Sequence, residues 1–245
     1  VKKNSLQSFL KDVSDCDVSH KSIFCNLTSD EIETFDKHKS CLLFKKGQQV
    51  FKEGAYPQGV FIIDSGKIKL EHSGDEGKMQ IVRMAKAGDL LGYRALFCGE
   101  KYNATAVALE EANLCFIPKD IFFRVLDSNR HLSLDVIKIL AKDLRNAEDH
   151  LTELAQKPVR ERLAKALLSL NETYGVDHIQ GTINVHLSRE EIADLVGTAT
   201  ETAIRLLSDF RHEGIIELIG KKIKISDPDK LQKVAHYYRG EYLVH

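Results

Sequence analysis

Forty residues, His186 to Ile225, constrain this chain more than any other stretch: HLSREEIADLVGTATETAIRLLSDFRHEGIIELIGKKIKI. Ile192, Leu195 and Val196 recur at helical spacing, and Ser188 with Glu191 three residues later makes a capping box that fixes where this helix starts. Gly197 ends it. Ala203, Leu206, Leu207 and Phe210 then share one face of a second helix that stops at Gly214, leaving Thr200, Glu201, Ile204 and Arg205 on the other face near its start. This is the layout of a helix-turn-helix, whose second helix enters the major groove and meets base edges with its first residues. Ile215 to Leu218 and Lys222 to Ile225 flank Gly220-Lys221 as a β-hairpin, the form of a wing that touches phosphates. The stretch therefore predicts contacts to double-stranded DNA from Ser188, Arg189, Thr200, Glu201, Ile204, Arg205, Lys221 and Lys222. A helix, a turn and a helix with glycine between them is also a common packing unit, so the motif alone leaves a structural role open.

Charge does not decide the matter. The net charge is −1 over 245 residues, and from Pro158 onward Lys and Arg number 12 against 13 Asp and Glu. Any attraction to phosphate must be local, with Arg189, Arg205, Arg211, Lys221, Lys222 and Lys224 as the patch; the alternative for a mixed-charge surface is solubility alone. No apolar run reaches membrane-spanning length and VKKNSLQSFL lacks a signal-peptide core, which predicts a cytoplasmic protein with no membrane partner. Five cysteines, an odd number, fit a reducing compartment rather than a disulfide scaffold. The signatures GxSxG and HExxH, the P-loop and the dinucleotide fingerprint are missing, so the sequence does not read as an enzyme.

Between Cys41 and Lys119 short β-like runs are punctuated by glycine, nine of the 15 glycines falling from Gly47 to Gly99. This predicts an antiparallel β-roll or barrel and an α+β chain. A long helix follows, in which Ile137, Leu140, Leu144, Ala147, Leu151 and Leu154 alternate at spacings of three and four. Such a seam buries itself best against a second copy, which predicts a homodimer; packing on the β-roll of its own chain is the alternative. In a dimer, two-fold symmetry places two recognition helices one DNA turn apart on a palindromic operator. Gln156-Lys157-Pro158 then interrupts the helix, since proline lacks the amide donor and disfavours helix in the residue before it.

FKKGQQVFKEG from Phe44, GVFIIDSGKIKL from Gly59 and AGDLLGYRALF from Ala87, followed by the long helix and the winged helix-turn-helix, resemble the Crp/Fnr transcription regulators over almost the whole chain. The resemblance implies a cyclic-nucleotide-binding-type jelly roll (a double-stranded β-helix). It implies four parts: an N-terminal cysteine-bearing segment (1–40), the β-roll sensor (41–127), the dimerisation helix (128–157) and the winged helix-turn-helix (158–245). RNA polymerase is the further partner that such a regulator implies. The other reading is a regulatory module that uses the β-roll to grip a ligand or protein without DNA.

In this family a Glu and an Arg four residues on read the G–A core of each half-site, and Glu201 and Arg205 stand there. A carboxylate accepts from the cytosine amino group, and a guanidinium donates twice to guanine. Family members often add an Arg before the Glu or a Ser before the Arg; here Thr200 and Ile204 occupy those places, and the outer base is unassigned.

The family's nucleotide-binding members carry a Glu for the ribose and an Arg-Ser pair for the cyclic phosphate. Here the matching residues are Tyr93, Tyr102 and Asn103, with Arg94 one residue past the ribose position and on the opposite face if the segment is extended. The resemblance thus argues against cyclic AMP and for a different small effector, with Tyr93, Arg94, Tyr102 and Asn103 lining the pocket. The oxygen-sensing branch spaces three cysteines as C-x2-C-x5-C and adds a fourth from the β-roll to hold an iron-sulfur cluster. Cys16, Ser19, Cys25 and Cys115 match those positions, with serine at the second. His20, Asp17, Asp15 or Cys41 are substitutes for the missing thiolate; buried structural cysteines or a redox-active thiol pair are the alternatives.

Overall fold

The computed structural model describes residue 24, residues 26–74 and residues 77–236. The chain divides into two compact units, one comprising residues 1–72 and 82–147 and the other residues 73–81 and 148–245.

The first unit is built on β1 (Ser40–Phe44), β2 (Gln49–Phe51), β3 (Gly59–Ser65), β4 (Lys67–Ser73), β5 (Met79–Lys86), β6 (Leu90–Leu91), β7 (Thr105–Ala108) and β8 (Ala112–Pro118). They form two four-stranded sheets, ordered β1-β8-β3-β6 and β2-β7-β4-β5, with the antiparallel pairings of a jelly roll. Side chains alternate across a strand, and β3 and β8 use both faces. Ile63 and Leu114 join Ile68, Leu70, Ala106 and Ala108 in a core shared by the two sheets. Val60, Ile62, Cys115 and Ile117 point the other way, into a second core with helices. Those helices are α1 (Ser29–His38), α2 (Tyr93–Cys98), α3 (Lys119–Ser128) and the start of α4 (Arg130–Gln156). They contribute Phe35, Leu96, Phe122, Val125, Leu132 and Val136 to it. The β3–β4 turn needs Gly66: its φ is +89°, and a Cβ there would lie 2.5 Å from that of Ala112.

Besides the end of α4 and the start of β5, the second unit holds α5 (Val159–Tyr174), α6 (Arg189–Val196), α7 (Thr200–His212), β9 (Ile216–Ile219), β10 (Lys222–Ile225) and α8 (Pro228–Ala235). α4 stops at Gln156 and Pro158 caps α5, the interruption expected from its ring. Leu163, Leu167, Ile192, Val196, Leu206, Leu207, Phe210, Ile216, Ile223 and Leu231 are all buried, so each of these elements buries apolar side chains. Among the described residues no helix is long and apolar enough to cross a membrane.

Candidate nucleic-acid interface

Helix α6 begins with the capping box read from the sequence. The Ser188 hydroxyl accepts from Glu191 N at 3.0 Å, and Ser188 N donates to the Glu191 carboxylate at 2.8 Å. Gly197 closes the helix with φ +70°, and its N–H donates to Ala193 O. A side chain there would also crowd Leu154, whose Cδ2 lies 2.9 Å from the place a Cβ would take. The chain then enters α7 at Thr200, only two residues beyond the turn, which sets the two helices in the tight arrangement of a helix-turn-helix.

Burial of Ala203, Leu206, Leu207 and Phe210 orients α7. Glu201, Ile204 and Arg205 consequently stand exposed, with Thr200 half-buried beside them. Glu201 and Arg205 are one turn apart, yet among the described residues neither side chain makes a hydrogen bond or ion pair. The surface i,i+4 ion pair that would have explained them away is not formed. Both stand exposed on one helical face, a carboxylate acceptor and a guanidinium donor fork.

The wing pairs β9 with β10 in register from Lys222↔Ile219 to Ile225↔Ile216, around Gly220, whose φ is +61°. Lys221 at its tip is exposed. Lys222 is engaged inward: its ammonium donates to Gln180 Oε1 at 3.1 Å and lies 3.8 Å from Asp177. Arg189 is half-buried behind the wing. Its Nη2 donates to Gly220 O at 3.4 Å, its Nη1 is buried without a partner, and burial lowers the guanidinium's pKa. Arg189 thus holds the wing turn against the start of α6.

The long helix divides its apolar residues between two tasks. Leu132 and Val136 are buried and Leu140 packs half-buried against the core of the first unit. Ile137, Leu144 and Leu151, at strict seven-residue intervals, are 59%, 62% and 68% exposed. Ala147 and Leu154 are exposed on the same seam.

Two of the residues expected to line an effector pocket, Tyr93 and Tyr102, engage the protein's own side chains. Tyr93 is buried, and its hydroxyl donates to the Asp143 carboxylate of α4 while accepting from Arg83 Nη1 at 3.1 Å. Arg83 lies 3.6 Å from the same carboxylate. Burial pushes the Tyr93 phenol well up; Arg83 opposes this, and Asp143 adds to it. The Tyr102 ring stacks on Phe51 with centroids 4.0 Å apart, and burial pushes its phenol up to about 12. Asn103 is exposed, its carbonyl 3.0 Å from His72 Nδ1. Arg94 lies on the short helix α2, so the extended-strand alternation considered for it does not apply here.

The chain matches the cyclic nucleotide-binding domain over residues 42–129 and the Crp-like helix-turn-helix domain over residues 161–234, together more than half of its length. It is 29% identical over 220 residues to the CRP-like cAMP-activated global transcriptional regulator of Mycobacterium tuberculosis, covering 89% of this chain and 98% of that one. The chain belongs to the Crp/Fnr family of transcriptional regulators. The fumarate and nitrate reduction regulatory protein of Escherichia coli is 28% identical over 229 residues, covering 92% and 90% of the two chains. A Crp/Fnr-family transcriptional regulator of known structure from Thermus thermophilus superposes with a TM-score of 0.69 at 26% identity, covering 82% of this chain and all of that one. Crp/Fnr proteins are DNA-binding transcription regulators, not enzymes.

Of the four positions expected to hold an iron-sulfur cluster, only Cys115 lies among the described residues. Cys115 is disulfide-bonded to Cys41, its direct cross-strand partner, so its sulfur is not free to ligate iron. Cys16, Ser19 and Cys25 lie outside the described residues, as do Asp15, Asp17 and His20. No three His, Cys, Asp or Glu side chains come together as a metal site among the described residues.

Sequence reading missed Arg162. From α5 its Nε donates to Val196 O at 3.1 Å, Nη2 to Gly197 O at 3.0 Å and Nη1 to Lys157 O at 2.9 Å. It satisfies the carbonyls left open where α6 ends and so holds the helix-turn-helix turn in place. Nothing in its sequence neighbourhood marks it; only the approach of α5 to the turn does.

Proposed function

We propose that this regulator acts as a homodimer on a palindromic operator with a G–A core in each half-site, under the control of a small effector or redox signal other than cyclic AMP. The observation that carries the DNA reading is the pair Glu201 and Arg205, exposed and without partners at the start of α7 beside a wing whose tip carries Lys221. Arg205 donates to guanine O6 and N7, and Glu201 accepts from cytosine N4. Lys221 contributes a sequence-independent phosphate contact that weakens with salt, and Lys222 and the Ser188 hydroxyl flank the same surface. The exposed series Ile137, Leu144 and Leu151 supports pairing of two α4 helices, since an unburied heptad stripe gains most against its own copy.

The relative in Mycobacterium tuberculosis is named for activation by cAMP. Two features support a different effector here. Tyr93 and Tyr102 are buried aromatic groups where a ribose partner and a phosphate-binding cation are needed, and the Arg83 guanidinium is already paired with Asp143. The Cys41–Cys115 couple supports thiol redox as one form of the signal, since a dithiol and its disulfide differ by two electrons. An effector shifts the regulator only by binding one dimer state better than the other.

The experiment is a salt-matched anisotropy titration of a palindromic duplex with wild type and Arg205→Ala, beside calorimetry with cyclic AMP. Specific binding lost in the variant with weak non-specific binding retained, and no heat from cyclic AMP, are the expected results. Equal operator affinities, or tight cyclic AMP binding, contradict the respective halves of the proposal.

A further inference from the structure

The recognition face carries an exposed apolar side chain that the G–A reading leaves unused. Ile204 is 48% exposed, three residues after Glu201 and directly before Arg205. It takes no part in the core of the unit, which α7 enters through Ala203, Leu206, Leu207 and Phe210. Single exposed apolar residues are common on protein surfaces and mean little alone. Ile204 differs in its position: it stands between a carboxylate and a guanidinium that both face outward without partners, where water offers a branched hydrocarbon nothing. A β-branched residue is also a poorer helix former than alanine or leucine at an exposed site, so local helix stability does not account for it.

Ile204 has neither donor nor acceptor, so it cannot distinguish the hydrogen-bond patterns of the major groove. The one apolar group displayed there is the 5-methyl of thymine. Resting on the DNA reading above, we propose that Ile204 reads a thymine in each half-site, beside the G–A core, through apolar contact with its 5-methyl group. Thr200, one turn before Ile204, is half-buried and offers its own methyl to the edge of the same contact. Recognition of this base is then by shape. Uracil, which keeps every hydrogen-bonding group of thymine, is a poor substitute, and 5-methylcytosine is a better one than cytosine.

The test uses full-length protein and a palindromic duplex recovered by selection from a random-sequence pool. Each thymine of the half-site is replaced in turn by deoxyuridine, and affinities are measured by anisotropy at one salt concentration. One position per half-site should weaken binding by about fourfold when its methyl is removed, and about fifteenfold when both half-sites are altered. Ile204→Ala should bind the thymine and uracil duplexes equally, at the wild type's uracil level, and Ile204→Val should retain most of the discrimination. Replacing the core guanine by 7-deazaguanine in the same series reports the Arg205 contact separately. Wild-type protein indifferent to uracil at every position, or Ile204→Ala that still discriminates, overturns the proposal even though the 7-deazaguanine loss leaves the Arg205 contact standing. A selection that yields no palindrome, or binding unaffected by both 7-deazaguanine and Arg205→Ala, overturns instead the DNA reading on which it rests.

Discussion

Replacing Leu144 by alanine should separate dimer formation from folding. Leu144 is 62% exposed in the isolated chain. Complete burial of a leucine side chain is worth about 1.5–3 kcal/mol, so covering this fraction contributes roughly 1–1.5 kcal/mol after the methyl that alanine keeps is discounted. A two-fold axis doubles the effect to roughly 2–3 kcal/mol per dimer, which raises the dimer dissociation constant about 30- to 150-fold. Sedimentation equilibrium measures that constant, with circular dichroism to establish that the monomer keeps its fold. Leu140, one turn earlier, supplies the contrast: it packs on its own chain's core, so Leu140→Ala should lower Tm. An unchanged dissociation constant for Leu144→Ala, or a loss of fold equal to that of Leu140→Ala, would refute the assignment of the exposed stripe to self-association.

Three further outcomes follow from individual contacts. Arg162→Met removes a charged donor from three backbone carbonyls and should lower stability by about 2–3 kcal/mol in urea unfolding, while an undiminished midpoint would contradict its role at the turn. Asp143→Asn removes the charge that the half-buried Arg83 faces and should lower Tm measurably, whereas a neutral change would mean that the Tyr93 cluster does not tie α4 to the sheet. Asp177 accepts from the Thr182 hydroxyl at 2.5 Å and from the Gln180 and Ile179 amides, which together with Lys222 hold its carboxyl down at about 2. Because the folded pKa is depressed, the ordering of this loop is fully present above the usual value of 3.8 and is lost as pH falls through about 2. Carbon-detected NMR should show Thr182→Val moving this titration upward; a wild-type midpoint near 4 would contradict the hydrogen-bond account.

Local features of the DNA-binding unit were legible in the sequence because they depend on neighbours in the chain. Ser188 and Glu191 form their cap within one turn, Gly197 ends α6 through its own dihedral, and the period of Ala203, Leu206, Leu207 and Phe210 orients α7 whatever lies beneath. The strand β9 starts at Ile216, one residue later than the hydrophobic run suggested, because Ile215 is buried and its carbonyl accepts from Ser226 and Asp227. What the sequence did not disclose are contacts between residues far apart in the chain. The heptad period cannot tell Leu140, half-buried on its own core, from Leu144, which is exposed. Tyr93 meets Arg83 and Asp143 from three different elements, and Cys115 meets Cys41 across 74 residues through the register of β1 with β8. Arg162 belongs to the same class, since two of its three acceptors lie more than thirty residues away at the end of α6.

The most direct test of the account is the affinity of the full-length protein for its selected operator at fixed salt, compared between wild type, Glu201→Ala and Arg205→Ala. Each good bidentate base contact is worth about 1–3 kcal/mol, and a palindrome uses it twice, so Arg205→Ala should reduce specific affinity by roughly 30-fold or more. Non-specific binding, which depends on phosphate contacts such as Lys221, should fall far less. Parallel losses on operator and random DNA would show that these two residues only add charge, and would contradict the reading of α7 as the helix that recognises the site.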